Sequence, residues 1–268
     1  MRVLYLIVAR GGSKAIPRKN LERIGDLSLV GFKARSAQRA ETCSRLIIST
    51  DDQEIRAEAL RLDVDAPFVR PAELATDSAS TDDVVLHAMQ WVETHTDESY
   101  DAVMLLEPSS PFATADDYDA AVRLMVERRA NVVLGVCETE VNSVFVGPMD
   151  LDGRLSSIID KLVGLRALRR QDQPAEYTMN GALYLLRWNF FREHRARYVD
   201  RAGTYAHVMD RNHSLEIDDP VDLEWARFLW ERGFINHGQW PASAGYASPS
   251  GEPAVNQQVL SGDVRRRI

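Results

Sequence analysis

The chain has 268 residues, which is enough for one large domain or two small ones. Acidic residues outnumber basic residues by 40 to 32, and the formal net charge is −8. This balance argues against nucleic acid as the main partner, because nucleic-acid binding normally requires a basic surface.

No apolar run in the sequence approaches the roughly 18–20 residues that a transmembrane helix needs. The first apolar run is not followed by a small-residue cleavage site, so we expect no secretory leader. Cys43 and Cys137 stand alone, without the spacing of a metal site or a disulfide framework. We therefore expect a cytoplasmic protein that does not bind a membrane.

Short apolar runs rich in β-branched residues predict buried strands. These runs lie at residues 3–9, 46–49, 102–106, 132–136 and 181–186. The first four are apolar on both faces, which is typical of a parallel sheet that is covered by helices.

Amphipathic segments between these runs predict helices at residues 53–62, 80–93, 116–128 and 220–233. Ser80 is the expected N-cap of the second helix, and either Thr114 or Asp116 is expected to cap the third. Pro220 and Gly233 stand where a helix favours proline at its start and glycine after its end. The alternation of strands and helices predicts an α/β sandwich with right-handed crossovers.

Three regions follow from this pattern. Residues 1–235 are expected to form one domain, and residues 138–178, which are polar and irregular, are expected to leave the sheet as an excursion. Residues 236–268 are rich in Gly, Pro, Ser, Asn and Gln, and this composition predicts a weakly structured tail.

The strongest local signal is the loop at residues 9–20, which directly follows the first predicted strand. Gly11 and Gly12 allow the backbone to approach a phosphate group and to expose its N–H groups. Four cations fall within this loop, and they are Arg10, Lys14, Arg18 and Lys19. The chain has 28 Arg and only four Lys, yet two of the lysines lie here. The pattern indicates a polyphosphate site, although it could also be a basic surface loop, and it matches neither the dinucleotide nor the P-loop motif.

The loop resembles the ARGGSKGxPxKN signature of the acylneuraminate cytidylyltransferase family, the CMP-sialic acid synthetases. Further matches follow in the family's order. They lie at residues 28–31, 47–52, 70–81, 105–111, 170–172 with 180–182, and 216–218. The resemblance extends over residues 1–233 and implies a three-layer α/β sandwich with a mostly parallel, Rossmann-like nucleotidyltransferase sheet. It also implies a homodimer in which the excursion at 138–178 reaches the partner.

The implied reaction converts CTP and an acceptor into CMP-acceptor and pyrophosphate, through attack on the α-phosphate. Arg10, Ser13 and Lys19 are suited to stabilising the leaving pyrophosphate, and Arg10, Lys19 and Asp218 are the expected catalytic residues. By resemblance, Asn20 and Arg70 hold the cytidine, although Arg70 could instead form a salt bridge with Glu73. The full expected CTP site is Arg10, Gly11, Gly12, Ser13, Lys14, Lys19, Asn20, Arg70, Ser80 and Thr81. A nucleotide-binding protein without catalysis is disfavoured by the presence of Lys19 and Asp218.

Glu216 and Asp218 are two residues apart, and on a strand this spacing places both carboxylates on one face with Ile217 behind them. Mg²⁺ prefers oxygen ligands and often needs only one or two carboxylates in addition to phosphates. We therefore expect an Mg²⁺ or Mn²⁺ site here, with Glu216 less certain because the family has Asp at its position. The sequence does not identify the general base.

The residues expected to bind the acceptor differ from the pattern of the family. Glu107 stands where the family has a Gln that contacts the sugar, and an added negative charge would repel a carboxylate sugar unless an Arg compensates or Glu107 is protonated. We expect Glu107, Arg170 and Asn180 to bind a small anionic acceptor, with Arg166 and Arg169 as further candidates. The acceptor is expected to be a sialic-acid-like 2-keto-3-deoxy sugar acid, and the alternative is a small phosphonate of a natural-product pathway.

Overall fold

The structure is a computed structural model, and it describes residues 1–163 and 174–240. Within these ranges the strands are β1 (Val3–Val8), β2 (Arg23–Ile24), β3 (Leu27–Ser28), β4 (Cys43–Ser49), β5 (Ala102–Leu106), β6 (Val132–Glu138), β7 (Tyr177–Arg187) and β8 (Thr204–Val208). The helices are α1 (Leu29–Arg39), α2 (Gln53–Arg61), α3 (Thr81–His95), α4 (Ala115–Arg128), α5 (Ser156–Val163), α6 (Trp188–His194) and α7 (Pro220–Glu231).

Six of the strands form one sheet in the order β4-β1-β5-β7-β6-β8. The pairs β4–β1, β1–β5 and β6–β8 are parallel, whereas β7 runs antiparallel to both of its neighbours. The predicted α/β sandwich with a mostly parallel sheet is confirmed. Because β1, β4 and β5 are parallel neighbours, their carboxyl ends meet at one edge, where ligands of such sheets bind.

Helices cover both faces of this sheet and make three layers. On one face α1, α2 and α4 bury Val30, Ala59 and Tyr118 against β1 and β5. On the other face α3 and α6 bury Val85 and Phe191. The two-sided apolar pattern of β1 and β5 therefore has the predicted cause, since both faces of these strands are buried.

The predicted caps are largely confirmed. The side chain of Ser80 accepts a hydrogen bond from the N–H of Asp82 and caps α3. Of the two candidates for α4, Thr114 is the cap, because it forms a reciprocal capping box with Asp117. Asp219 caps α7 ahead of Pro220 in the same way.

The predicted tail begins too early, since residues 236–240 are structured. Residues His237–Gln239 form a 3-10 turn, and Trp240 is only 3% exposed. The Trp240 indole N–H donates to the hydroxyl of Ser36 at 2.6 Å, and its ring packs against Phe32 with the centroids 5.4 Å apart. Composition missed this anchor because one aromatic residue outweighs several polar neighbours in buried area. The rest of the predicted tail lies outside the described residues.

The segment predicted as an excursion leaves the sheet after β6 and returns with β7. Its described part contains a short 3-10 turn at Ser143–Phe145 and helix α5. Helix α5 buries none of its residues within the described protein. In the described ranges, no helix is both long enough and apolar enough to cross a membrane.

Candidate active site

The loop after β1 lies at the carboxyl edge of the sheet and lines a cleft of about 470 Å³. Residues from three parts of the described chain line this cleft, and they include Arg10, Ser13, Lys14, Lys19, Asn20, Arg70, Thr81 and Glu107. The sequence placed all of these in the CTP or acceptor site, and the structure brings them together.

Two carboxylates just after β4 lie against the backbone of the loop, and one of them is bonded to it. The N–H of Gly11 donates to Oδ1 of Asp51 at 3.2 Å. A Cβ atom on Gly11 would lie 2.6 Å from Oδ2 of Asp52, whereas Gly12 has open space around it. Gly11 therefore has a steric reason in the close approach of Asp52, and the contact of Gly11 and Gly12 with a phosphate stays a prediction. Among the described residues, the cleft is lined by side chains on either side of the two glycines and by neither glycine itself.

Asp77 neutralises two of the loop cations at the mouth of the cleft. Nη1 of Arg10 lies 2.9 Å from Oδ1 of Asp77, and Nζ of Lys14 lies 2.6 Å from Oδ2 of the same residue. The hydrogen bond from Lys14, together with the charge of Arg10, lowers the pKa of Asp77. Asp77 thus occupies the position that an anionic ligand of these cations would take.

Lys19 joins the loop to the segment that holds the predicted metal ligands. Its ammonium group donates to the carbonyl oxygen of Ile217 at 2.7 Å and lies 3.3 Å from Oδ1 of Asp218. The Lys19 side chain is 16% exposed, whereas that of Asp218 is 73% exposed. The loop and the acidic segment, about 200 residues apart in sequence, therefore form one site.

Arg70 is buried beneath the loop. Its guanidinium donates to the hydroxyl of Ser49 at 3.1 Å and to the carbonyl oxygens of Ser49 and Ala9. Burial lowers the pKa of Arg70 to about 10, with Asp51 opposing the change. Among the described residues, Arg70 has no ion pair with Glu73, so the salt-bridge alternative is wrong.

Asn20 is also buried and supports the loop. Its amide donates to the carbonyl oxygen of Arg10 at 2.9 Å. Arg70 and Asn20 both reach the cleft wall while holding the backbone that surrounds it. Ser80 serves as a helix cap, whereas its neighbour Thr81 lines the cleft.

Glu107 directly follows β5 and lines the cleft. In the sheet β5 lies on the side of β1 opposite to β4. Burial raises the pKa of Glu107, and the charges of Arg197, Lys33 and Lys19 oppose that rise. The sequence analysis expected an Arg as one way to compensate the negative charge of Glu107. In the structure Arg197 has this role, although no sequence motif contains it. Lys33 was also missed as a site residue, although a lysine within an apolar helical stretch was a usable signal.

The segment at residues 216–218 is extended but is not part of a sheet. Ile217 is fully buried, and its N–H donates to the carbonyl oxygen of Ser109 at 2.7 Å. Glu216 and Asp218 are exposed on either side of it. The predicted alternation is correct, although a single backbone hydrogen bond replaces the predicted strand. Burial and the charges of Asp218 and Glu107 raise the pKa of Glu216.

Asn180 makes its hydrogen bonds within the protein. Its amide donates to the hydroxyl of Ser214 at 2.8 Å, and its Oδ1 accepts from the N–H of Ala182 at 3.1 Å. These bonds lie at the irregular part of β7 around Gly181, where φ is +65° and a Cβ atom would lie 3.1 Å from Oε1 of Glu216. Asn180 therefore supports the wall of the site. Arg166, Arg169 and Arg170 lie outside the described residues.

The arrangement has cations on one side of a cleft and a pair of exposed carboxylates beside it. Such a site suits the transfer of a nucleotidyl group, in which positive charge stabilises a leaving pyrophosphate.

Comparison with known proteins agrees with this geometry. Residues 4–136 match the model of a family described as "Cytidylyltransferase". The chain is 30% identical to the N-acylneuraminate cytidylyltransferase of Escherichia coli over 84% of this chain and 51% of that protein. It is 27% identical to a pseudaminic acid cytidylyltransferase of Campylobacter jejuni, over 88% of this chain and 98% of that protein.

Among solved structures, the fold is similar to that of CMP:2-keto-3-deoxy-manno-octonic acid synthetase in complex with CTP. The TM-score is 0.63 at 15% identity, over 87% of this chain and 99% of that one. This likeness shows the fold, and the sequence matches show that the chain is a CTP-dependent nucleotidyltransferase and belongs to the acylneuraminate cytidylyltransferase family.

Proposed function

We propose that this protein transfers CMP from CTP to a sialic-acid-like 2-keto-3-deoxy sugar acid and releases pyrophosphate. The observation that carries the proposal is the contact between Lys19 and the segment at Ile217 and Asp218. This contact joins the loop at residues 9–20, which carries the cations, to the segment that carries the carboxylates of Glu216 and Asp218. The same loop lines the cleft that continues to Glu107.

In this proposal Arg10, Lys14 and Lys19 bind the phosphates of CTP, and Ser13 adds a hydroxyl donor. Charge develops on the leaving pyrophosphate, so fixed cations that are already in place lower the barrier most effectively. Arg70 and Asn20 form the wall on which the nucleoside rests. Arg10, Lys19 and Asp218 are the residues that we assign to catalysis.

The acidic segment fits a magnesium or manganese ion. Glu216 and Asp218 offer oxygen ligands, which these ions prefer. Burial, followed by the negative charges of Asp218 and Glu107, raises the pKa of Glu216. Among the described residues no group of three or more His, Cys, Asp or Glu could hold a metal by itself, so the phosphates of CTP would complete the coordination. A bound ion would supply charge stabilisation at the phosphates.

The acceptor is assigned from the relatives reported above, two of which are named for sialic-acid-like sugar acids. A small phosphonate acceptor gains no support from them. The test is a panel of acceptors, namely N-acetylneuraminate, pseudaminate, 2-keto-3-deoxy-manno-octonate and a 2-hydroxyethylphosphonate, each with CTP and Mg²⁺. We expect pyrophosphate release with at least one sugar acid, and turnover of the phosphonate alone would refute the sugar-acid assignment.

We also propose that the protein is a homodimer whose contact is made by the excursion at residues 138–178. In its described part, helix α5 exposes apolar side chains, with Leu155 beside it 48% and Ile159 51% exposed. Exposed apolar surface on a segment that leaves the sheet is typical of an interface. Sedimentation of the intact chain should give twice the monomer mass, and Ile159→Glu should shift it towards the monomer. A monomeric parent chain would refute the proposal.

A further inference from the structure

Arg197 is a buried arginine outside every motif of the family. It lies between α6 and β8, and its side chain is only 12% exposed. Its guanidinium lies 4.7 Å from the ring centroid of Tyr184 and 5.3 Å from that of Tyr198. Burying a guanidinium is costly unless its charge is used.

The ion pair of Arg197 is incomplete. Its Nε lies 3.2 Å from Oδ1 of Asp82. Nevertheless Nε and Nη1 of Arg197 are shielded from solvent and lack a hydrogen-bond partner of good geometry among the described residues, and so does Oδ1 of Asp82. Packing alone does not explain such a group, because buried polar atoms are normally hydrogen-bonded.

The cluster of Arg197, Asp82 and Tyr184 adjoins the acceptor end of the cleft. Tyr184 pairs with Leu105 across the sheet, two residues before Glu107. Side chains two residues apart on a strand share a face, so Glu107 continues the row that contains Leu105 and Tyr184. Asp82 is next to Thr81, which lines the cleft together with Glu107.

Glu107 itself is a buried carboxylate that needs a counter-charge. Arg197 is the strongest of the cations that oppose the rise in its pKa, ahead of Lys33 and Lys19. The other charged or titratable groups that act on this region are Asp218, Glu216 and Tyr184. Arg197 does not line the cleft, so it would not contact a ligand there directly, whereas its charge acts on Glu107, which does line the cleft.

We propose that Arg197 is a positioning residue of the acceptor site, and that its guanidinium, held by Asp82 and Tyr184, fixes Glu107 as the hydrogen-bond acceptor for the bound sugar acid. An ionised carboxylate accepts hydrogen bonds and donates none. The group of the acceptor that meets Glu107 is therefore a hydroxyl or an amine, and the carboxylate of the sugar acid lies elsewhere. This inference rests on the proposed function.

The test uses steady-state kinetics of the full chain, with the sugar acid of the panel that gives the highest kcat/KM. Arg197→Gln should raise the KM for the sugar acid about tenfold and leave the KM for CTP within about twofold, since one lost charge contact near a buried group has this order of effect. Arg197→Lys, which keeps the charge, should recover most of the affinity. The control is Arg192→Gln, because Arg192, like Arg197, pairs with a carboxylate of α3, in its case Glu93 at 2.9 Å, but is 64% exposed.

A double-mutant cycle shows whether Arg197 acts through Glu107. In the Glu107→Gln background, Arg197→Gln should change the KM for the sugar acid less than twofold. If the effects of Arg197→Gln and Glu107→Gln on the sugar-acid KM are independent and multiply in the double variant, the inference is wrong. It is also wrong if Arg197→Gln changes the KM values for CTP and for the sugar acid equally. If Arg197→Gln does not fold, the isosteric Asp82→Asn should still raise only the sugar-acid KM. If the parent chain is inactive with every sugar acid, both the proposed function and this inference are overturned. If the parent chain is active and Arg197→Gln leaves the KM for the sugar acid unchanged, only this inference is overturned.

Discussion

The ammonium group of Lys19 lies 2.7 Å from the carbonyl oxygen of Ile217, and this contact aligns the phosphate loop with Glu216 and Asp218. Lys19 is nearly buried, so little water screens its charge. It can therefore hold the acidic segment in place before CTP binds and contact a phosphate afterwards.

Replacement of Lys19 should consequently affect catalysis far more than stability. We expect Lys19→Ala to lower kcat/KM about 10²- to 10³-fold, the usual cost of removing one group that stabilises the transition state. Pyrophosphate release measures this loss. Lys161→Ala is the control, because Lys161 is an exposed lysine on α5 that also donates to carbonyl oxygens. Unchanged activity of Lys19→Ala would mean that the site is assigned wrongly.

Asp77 should compete with CTP for Arg10 and Lys14. Because Asp77 pairs with both cations in the structure, the phosphates must displace it. Asp77→Asn should lower the KM for CTP about two- to threefold at low salt, a modest change because exposed ion pairs are weak. The difference should shrink as salt screens the charges. Asp83→Asn, an exposed change on the adjoining helix, should leave the KM as it is. A higher KM in Asp77→Asn would show that Asp77 assists CTP binding.

The sequence predicted the parts of this molecule that depend on local pattern. The strands and helices around the cleft, the Ser80 cap and the burial of Ile217 between two exposed carboxylates all follow from periodicity and capping chemistry. Helix α1 was missed because Gly31 and Lys33 interrupt its apolar pattern. The antiparallel direction of β7 was not predictable, since a buried strand has the same composition in either direction.

The remaining differences arise from tertiary contacts. Arg197 meets Asp82 and Tyr184 only after three distant segments have folded together. The same holds for Asp77, which lies between α2 and α3 and pairs with the loop cations only when that segment reaches the loop after β1. The hydrophobic pattern of a sequence predicts which face of a helix or strand is buried. It does not predict these ion pairs, because they depend on how the loops at one edge of the sheet approach each other.

Lys33 should make stability depend on pH. Its ammonium group is fully buried on α1, with Nζ 2.8 Å from the carbonyl oxygen of Ala182, and burial lowers its pKa to about 7 from a usual 10.5. The unfolded chain binds this proton more tightly than the folded chain. The free energy of unfolding should therefore fall as the pH falls from about 10 to about 7.

Lys33→Met should remove this penalty. We expect the variant to gain about 1 kcal/mol at pH 6.5, or about 2–4 °C in melting temperature, and to gain less at pH 9.5. Thermal melts at the two pH values measure the difference. Lys161→Met should change neither melt. A loss of stability at both pH values would show that the hydrogen bond to Ala182 outweighs the buried charge.

Glu107 should influence which sugar acid is used. Its carboxylate favours a sugar acid that presents a hydrogen-bond donor to it and repels one whose own carboxylate comes near. Glu107→Gln removes that charge without changing the size of the side chain. We expect Glu107→Gln to raise kcat/KM for N-acetylneuraminate about tenfold, which corresponds to about 1.4 kcal/mol. Glu73→Gln, at an exposed position of the neighbouring segment, is the control. If the rate is unchanged, another residue sets the specificity.

Trp240 should be needed for stability even though it lies in a region of polar composition. Its ring is buried against Phe32, and its indole N–H donates to Ser36. Trp240→Ala would leave a cavity and remove one hydrogen bond to the Ser36 hydroxyl, so we expect a loss of about 3–5 kcal/mol in the free energy of unfolding. Urea denaturation measures this loss. Trp225→Ala should cost far less, because Trp225 is 50% exposed on α7. Equal losses in the two variants would mean that Trp240 does not anchor the end of the domain.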